Sequence, residues 1–423
     1  MFWTTIINKL TGTYPEGKVY YGWVIVGVIF LSTIASAIQL NPTIGVFVKP
    51  ITAEFGWSRS DLAGAVTIGT IFGGILAVLT GRIVDKFGPR WVLFFGFLIL
   101  GTLLIGMGMI QNLWHFYIIT IISRMILQGV INITCQTVAT KWFVRLRGRA
   151  VALAAAGERV GNGVVPFLAQ ILIINQGWRT ASWVIGISAW AITLGPTAIW
   201  LRRSPQDMNL VPDGSHNPPL TIIKPQFSLS DALGTKSFYL LGAAFSIASF
   251  IDTGINFSLN PYLIDQFLNE KNSVTVIAIW AFSGIAGSLI AGFLAEHLKS
   301  QFILLGCYIG IAIGVLLLMS VNSLQTGIIF GLTHGAFFGA VILMQQLILA
   351  EYFGSDSIAT IRGAIAPWQM TGNAFGPLAA SLVFDTSGSY MGIFRAYLIL
   401  LLIIWIGISF ATKPKLNTKY KHF

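Results

Sequence analysis

Long apolar runs separated by short polar stretches make up most of this chain. Twelve of these runs have about 20 residues, the length that an α-helix needs to cross a hydrocarbon layer about 30 Å thick. They fall near residues 19–42, 60–80, 91–111, 114–138, 150–174, 178–200, 238–262, 272–295, 302–321, 324–349, 361–384 and 393–412. The pattern predicts an all-α membrane protein with twelve transmembrane helices. Because twelve is even, both termini are expected on the same side.

The spacing of glycines indicates that the chain consists of two similar halves. Three glycines around the fifth run recur 215 positions later, around the eleventh. The pairs are Gly148 and Gly363, Gly157 and Gly372, and Gly161 and Gly376. This repeat predicts two pseudo-symmetric six-helix bundles, residues 1–201 and residues 237–423 with the C-terminal tail, joined by a polar, proline-rich cytoplasmic linker at 202–236. The glycine-rich second, fifth, eighth and eleventh helices are expected to meet between the halves, since small residues let helices approach closely.

Composition supports membrane insertion, and charge predicts the orientation. Of the 423 residues 10% are charged, against about a quarter in an average soluble domain. Of the 26 lysines and arginines, 19 lie at the termini or in the loops on their side, five lie in the opposite loops and two lie inside the spans. This bias places both termini in the cytoplasm of a cell that holds the chain in its inner membrane. It also accounts for most of the net charge of +11, so no nucleic-acid partner is expected.

Three charged residues lie deep inside the predicted spans of the first half. Arg124 in the fourth span and the adjacent Glu158 and Arg159 in the fifth all lie roughly 15 Å from a helix end. Charges at that depth are costly and are usually functional. Adjacent helical residues point about 100° apart, so Glu158 and Arg159 cannot face one partner. The simplest arrangement pairs Glu158 with Arg124 and leaves Arg159 facing a central cavity.

Further polar residues in the spans are candidates for solute binding or coupling. Asp252 in the seventh span and His334 in the tenth could each exchange a proton during transport, as could Glu158. Asn-Pro pairs at Asn41 and Asn260 predict helix breaks at matching places in the two halves. Such breaks mark binding or gating regions in transporters, although a proline can also simply end a helix. The two cysteines lie in spans, and no disulfide framework, metal site or cofactor is expected.

The loop after the second span has the sequence GRIVDKFGPR, from Gly81 to Arg90. Its pattern of glycine, aspartate, glycine and arginine resembles the signature loop of the major facilitator superfamily. The resemblance implies that Gly81, Asp85, Gly88 and Arg90 form a conformational loop whose charge contacts hold an outward-facing state; a merely solvated loop is the alternative. The phrases EFGWSRS from Glu54 and GPLAASLVFDTSGSY near the end resemble the bacterial monocarboxylate and oxalate/formate transporter group.

The chain departs from that group at positions where its relatives hold carboxylates. Ser288 stands where the group has an arginine on helix 8, and helix 11 has no lysine. Arg124 stands one residue earlier than the superfamily's arginine before a glutamine–glycine pair, which in a regular α-helix turns it about 100°. An anion would therefore be held mainly from the N-terminal half. The candidate solute-binding residues are Arg159, Arg124, Asn41, Asn260, Ser288 and Gln369.

These features predict a secondary transporter that moves a small, carboxylate-like organic anion by alternating access. Its partners would be the solute, membrane lipid, and protons or a counter-substrate. Glu158 and Asp252 leave room for a zwitterion such as an amino acid or betaine, and a transporter-like solute sensor is a further alternative. The sequence has no HExxH pair, serine elbow or phosphate loop, so no enzyme activity is expected.

The predicted orientation can be tested with a single cysteine at Asn209, in the linker, introduced into a chain whose native cysteines are replaced. A membrane-impermeant maleimide should label it only from the cytoplasmic face. Labelling of intact cells from outside would contradict the positive-inside assignment.

Overall fold

A computed structural model describes residues 20–143, 146–208, 210, 228–266, 269–295, 297–354 and 358–414 of the chain. These residues are almost entirely helical, and none of them lies in a β-strand. We label the membrane-spanning helices α1 to α12 in chain order. Ten helices among the described residues are long and apolar enough to cross a membrane. One of these ten contains two spans, and a further 30-residue helix with two internal prolines completes the predicted twelve.

In the first half, α1 comprises Gly22–Ser36 and Asn41–Phe55, α2 is Arg59–Phe87, and α3 is Pro89–Met107. Helix α4 comprises Leu113–Met125, a π-helical turn at Ile126–Ile131, and Asn132–Trp142. Helices α5 and α6 lie within Arg147–Trp200 and are divided at Gly177, whose φ of 84° is favourable only for glycine. In the second half the helices are α7 Lys236–Asp265, α8 Glu270–Leu294, α9 Ser300–Met319, α10 Leu324–Phe353, α11 Ile358–Ser387 and α12 Met391–Phe410.

The predicted break in the first span is confirmed, whereas the matching break in the seventh is wrong. The backbone is extended at Leu40, and a new helix begins at Asn41. By contrast, α7 runs without interruption through Asn260, with Pro261 inside the helix. Because proline has no N–H, the carbonyl of Phe257, four residues earlier, loses its helical donor. That oxygen lies against Gly45 of α1, where an added Cβ would be 2.6 Å away, so the two halves approach closely here.

Glycine contacts show the internal repeat at atomic detail. Gly157 and Gly161 of α5 lie against the backbone of α1, and Gly372 and Gly376 of α11 lie in the same way against the backbone of α7. A second contact is repeated as well: Gly73 of α2 faces Gly129 of α4, and Gly284 of α8 faces Gly339 of α10. The offsets of 211 and 210 positions are close to the offset of 215 between the glycines of α5 and α11, as expected of two similar halves.

These glycines pack helices within each half rather than between the halves, which differs from the expectation. The helices that join the halves are nevertheless the predicted ones, since α2 packs on α11 and α5 packs on α8, with α1 on α7. At these contacts glycine is rarer: Gly74 faces Met370, and Gly163 faces Phe282. Most of the close glycine contacts therefore lie within each bundle, while side chains of mixed size fill the surface between the bundles.

The glycine pairs give a direct test of the packing. Gly376→Ala should lower thermal stability by about 1–3 kcal/mol, because its Cβ would overlap the Phe250 carbonyl of α7. Gly407→Ala is the matched control, since nothing lies within 4 Å of a Cβ at that position. Thermal unfolding of the two variants in detergent, monitored by thiol reactivity or tryptophan fluorescence, measures both stabilities. Equal stability of the two variants would contradict the assigned contact.

Candidate functional site

The two halves are held together at the end of the molecule that the charge pattern predicts to be extracellular. Asp385 of α11 accepts hydrogen bonds from the backbone N–H groups of Arg59 (3.3 Å) and Ser60 (2.8 Å), which begin α2. The Arg59 guanidinium donates to Asp265 of α7 (2.8 Å) and to the hydroxyl of Tyr390 (2.9 Å). We call these five residues the outer latch. A carboxylate at a helix N-terminus is stabilised by the exposed N–H groups and the helix dipole.

Other polar contacts between the halves extend from the outer latch to about mid-depth. Lys49 of α1 forms an ion pair with Asp265 at 2.7 Å. Deeper in, the Thr67 hydroxyl donates to the Ala374 carbonyl at 2.6 Å. Within the described residues, every hydrogen bond and ion pair recorded between the halves lies between these levels and the outer latch. The described part of the chain is thus closed at this end.

Arg124 is tied down inside the N-terminal half. Its side chain is only 2% exposed, and its guanidinium donates to the Gln39 carbonyl, to Asn41 Oδ1 (3.0 Å) and to Thr70 Oγ1 (3.3 Å). The break in α1 exposes the Gln39 and Asn41 acceptors, which explains why the break and the arginine occur together. The predicted ion pair of Arg124 with Glu158 is therefore wrong, because Arg124 bonds to α1 and α2 instead.

A π-helical turn at Ile126–Ile131 contains the glutamine–glycine pair that follows Arg124. A π-turn holds one residue more than an α-turn, so it can accommodate the extra residue between Arg124 and Gln128. Arg124 and Gln128 both face α2, where Gly69 lies against Arg124 and Gly73 lies against Gln128.

Glu158 and Arg159 lie on α5 where it meets the second half. The Glu158 side chain is exposed, and no hydrogen bond or ion pair to it occurs among the described residues. Arg159 reaches the α8 backbone, where its Nη1 would be 2.8 Å from a Cβ built on Gly284. It also interacts electrostatically with Glu158 and with Asp252 of α7. Arg159 is thus the charge that links the two halves near mid-depth.

A cavity of about 280 Å³ lies in the C-terminal half, among α7, α9, α10, α11 and α12. It extends from Asp252 and His334 towards Arg362, near the start of α11 and away from the outer latch. Four amide side chains and Tyr308 contribute to its wall, among apolar residues. The polar lining residues are Ser249, Asp252, Tyr308, His334, Gln345, Gln346, Arg362, Gln369 and Asn373. The volume is near the lower end of the range for small-molecule sites.

Hydrogen bonds fix several side chains of this wall. Asp252 Oδ1 accepts from Asn256 Nδ2, one helical turn later, at 3.1 Å. Gln369 Nε2 donates to Gln345 Oε1 at 3.2 Å, and Gln345 Nε2 donates to the Tyr308 hydroxyl at 3.3 Å. This chain connects α11, α10 and α9, and it orients polar atoms toward a space large enough for a solute.

The structure brings only some of the predicted site residues to this cavity. Asp252, His334 and Gln369 line it, whereas Asn41 holds Arg124 in the first half. Two others serve contacts elsewhere: Asn260 accepts from Ser273 (2.6 Å), and the Ser288 hydroxyl donates to the Gly284 and Gly339 carbonyls at 2.9 and 2.8 Å. Ser288 thus joins α8 to α10, in keeping with a packing role.

The signature loop is described only in part. Gly88, with a φ of 77°, ends α2 and turns the chain into α3. The Arg90 guanidinium lies 5.1 Å from the Trp91 ring centre. The side chain of Asp85, like the Gly81 position, lies outside what the structure describes. The charge contacts expected of this loop therefore remain a prediction.

The sequence does not single out six polar lining residues: Ser249, Tyr308, Gln345, Gln346, Arg362 and Asn373. A signal existed for two of them. Gln345 and Gln346 interrupt the apolar sequence of α10, and adjacent amides within a membrane span are costly unless they meet a polar partner or a cavity. Nothing in the sequence distinguishes Tyr308 from an ordinary buried aromatic residue.

Comparison with known proteins places this architecture in a family. The sequence profile of the Major Facilitator Superfamily matches residues 25–377. Monocarboxylate transporter 12 of Mus musculus is 23% identical over 92% of this chain and 85% of its own length. The cis,cis-muconate transport protein of Acinetobacter baylyi is 25% identical over 81% of each chain. Membrane sensor protein UhpC of Salmonella typhimurium is 24% identical over 57% of each, so the chain spans little more than half of that relative.

Solved structures show the same fold. A bacterial homolog of the human lysosomal transporter Spinster, solved in inward-facing unoccupied and occupied forms, superposes with a TM-score of 0.68 in both. Each match covers 95% of both chains at 14% identity. At this identity the likeness concerns the fold alone.

The assigned partners of Arg124 give a double-mutant cycle. Arg124→Ala and Asn41→Ala should be non-additive by about 0.5–3 kcal/mol, because the two side chains share a hydrogen bond. Arg124→Ala and Glu158→Ala should add to within about 0.5 kcal/mol, since no direct contact joins them. Thermal unfolding of the purified variants measures both. Strong coupling between Arg124 and Glu158 would support an ion pair between them and contradict the hydrogen bonds assigned to Arg124.

Proposed function

The chain belongs to the Major Facilitator Superfamily, and on that premise we propose that it is a secondary transporter that moves a small organic anion by alternating access. Membership of this family of transporters also means that the chain is not an enzyme. The observation that carries the proposal is the position of Arg159 and Asp252. The two opposite charges lie on different halves and interact electrostatically, and Asp252 lines a cavity that leads away from the closed end.

Two cationic groups support an anionic solute. Arg159 faces the second half from α5, and Arg362 lines the cavity near its other end. Arginine binds carboxylates through paired, charge-assisted hydrogen bonds. Arg124 has its donors directed to α1 and α2, so we assign it to holding the broken helix rather than to solute. The relatives named for monocarboxylate and muconate transport agree with a carboxylate.

We assign coupling to Asp252, with Glu158 as the second candidate. An ionised Asp252 in the cavity would repel an anion, because like charges at close range disfavour each other. Solute entry then favours the protonated carboxyl, and release of the proton favours solute departure. This links one proton to one anion in the same direction. A zwitterion remains the alternative solute, since its cationic end could pair with ionised Asp252.

The orientation and the moving parts follow from the same proposal. With both termini cytoplasmic, the outer latch lies outside and the structure corresponds to a state open to the cytoplasm. The bundles 1–201 and 237–423 would rock about the mid-depth contacts, while residues 202–236 tether them. In the opposite state the outer latch would open, and the loop with Gly81, Asp85, Gly88 and Arg90 would make charge contacts that close the cytoplasmic end.

One relative supports a second function. Because the Salmonella typhimurium relative is named a membrane sensor, this chain could bind a solute and signal without moving it. Purified protein in proteoliposomes separates the two functions. A transporter should accumulate radiolabelled cis,cis-muconate or lactate against a gradient, whereas a sensor should bind the solute without flux. A panel that adds oxalate and betaine, scored by thermal stabilisation, identifies the solute class.

Replacement of the coupling carboxyl should separate two modes of transport. Asp252→Asn is expected to abolish uptake driven by a pH gradient while keeping solute-for-solute exchange, because the amide cannot carry the proton. Glu158→Gln is the comparison within the membrane, and Asp207→Asn, on an exposed polar segment, is the control. Full proton-driven uptake by both membrane variants would exclude this coupling and favour an exchanger.

A further inference from the structure

His334 makes one hydrogen bond whose direction is chemically determined. The indole Nε1 of Trp280, on α8, lies 2.9 Å from His334 Nδ1, on α10. An indole N–H can only donate, so Nδ1 must accept and cannot carry a hydrogen. The remaining proton of the neutral ring must then be on Nε2. A doubly protonated ring would place two hydrogens in the Trp280 contact, which fixes His334 as a neutral donor while that contact lasts.

The ring itself is held firmly. The His334 side chain is 1% exposed. It packs between Phe330, with ring centres 5.3 Å apart, and Phe338, which is nearly parallel to it at 6.5 Å. Gly314 of α9 lies against its Cβ, and a larger residue there would collide with the ring. Little rotation is available, so Nε2–H has a fixed direction.

His334 Nε2 is buried and has no hydrogen-bond partner among the described residues, although His334 lines the cavity. A buried donor without an acceptor is unfavourable unless something in the cavity accepts from it. A second donor lies in the same wall. The Tyr308 hydroxyl oxygen already accepts from Gln345, which leaves its own hydrogen free to donate.

From this geometry we propose that His334 Nε2–H is a solute-binding donor that holds an acceptor oxygen, of carboxylate or carbonyl type, in the C-terminal cavity. This inference rests on the proposed transport of an anion, and it names the residue that replaces the missing helix 8 arginine. His334 therefore binds solute and does not carry the coupled proton. His334 lies 210 positions after Arg124, the same offset as Gly129 and Gly339, so the repeat places a buried nitrogen donor at this position in both halves.

Two substitutions separate the two ring nitrogens. His334→Gln places an amide N–H₂ near the position of Nε2 and so keeps a donor in the cavity. His334→Asn keeps an oxygen near Nδ1 that can accept from Trp280, but it loses the cavity donor. With cis,cis-muconate as the probe and lactate as the second, His334→Asn should raise the KM for uptake about tenfold or more, whereas His334→Gln should stay within about threefold. Equal KM values, or the reverse order, would overturn the proposal.

A measurement without transport guards against loss of folding in the variants. The full chain labelled with ¹⁵N-histidine has five histidines, and His334 is assigned by comparison with His334→Gln. The expected spectrum has a protonated Nε2 and an unprotonated Nδ1, and cis,cis-muconate should shift the Nε2–H signal. A proton on Nδ1, or no shift with a probe that the protein transports, would overturn the inference while leaving the transport function intact. Failure of the wild type to bind or move either carboxylate would instead contradict the proposed function, and the inference with it.

Discussion

A hydrocarbon layer offers no water to a charged or polar group, and most of this structure follows from how each buried charge meets that constraint. In the first half, a buried charge is paired with acceptors of the same half. The break in α1 supplies acceptors for Arg124, so the open Gln39 carbonyl and the two terminal guanidinium nitrogens gain partners, while Nε has none among the described residues. In the second half, α7 continues through Pro261 and no equivalent arrangement forms. There the polar atoms of Asp252, His334 and the amide chain line a cavity instead. The two halves share a fold but differ in what their buried polar groups do: one set holds a broken helix, and the other lines a cavity.

Close helix pairs explain why such a division is possible within a repeated fold. The glycine contact of α2 with α4 recurs between α8 and α10, so the backbones of these helix pairs approach each other in the same way even where the side chains differ. A substitution at one repeat position, such as arginine for histidine, can then change the chemistry without changing the frame. The surface between the halves is held differently, by polar contacts concentrated at the outer latch, which water can replace when the halves separate.

Periodicity and composition were sufficient to predict the twelve helices, the repeat and the break at Asn41, because long apolar runs and constant offsets depend on local sequence. The pairing of Arg124 could not be predicted in this way. Its partners include a backbone carbonyl that is free to accept only because α1 breaks, and no local pattern around Arg124 points to that partner. The cavity could not be predicted either, because Tyr308 of α9 and Gln369 of α11 are connected only through Gln345 of α10. Asp252 and His334 could be selected because an ionisable residue in an apolar run is conspicuous by itself.

In the proposed transport cycle the two halves close the molecule at one end while it opens at the other. Two spin-label pairs test it most directly, one at the outer end on Ala53 and Thr386, and one at the opposite end on Lys86 and Lys299, all exposed positions. Double electron–electron resonance should reveal a population, increased by cis,cis-muconate at acidic pH, in which the outer distance lengthens while the other shortens. Distances that stay constant under all conditions, or that lengthen together, would contradict alternating access.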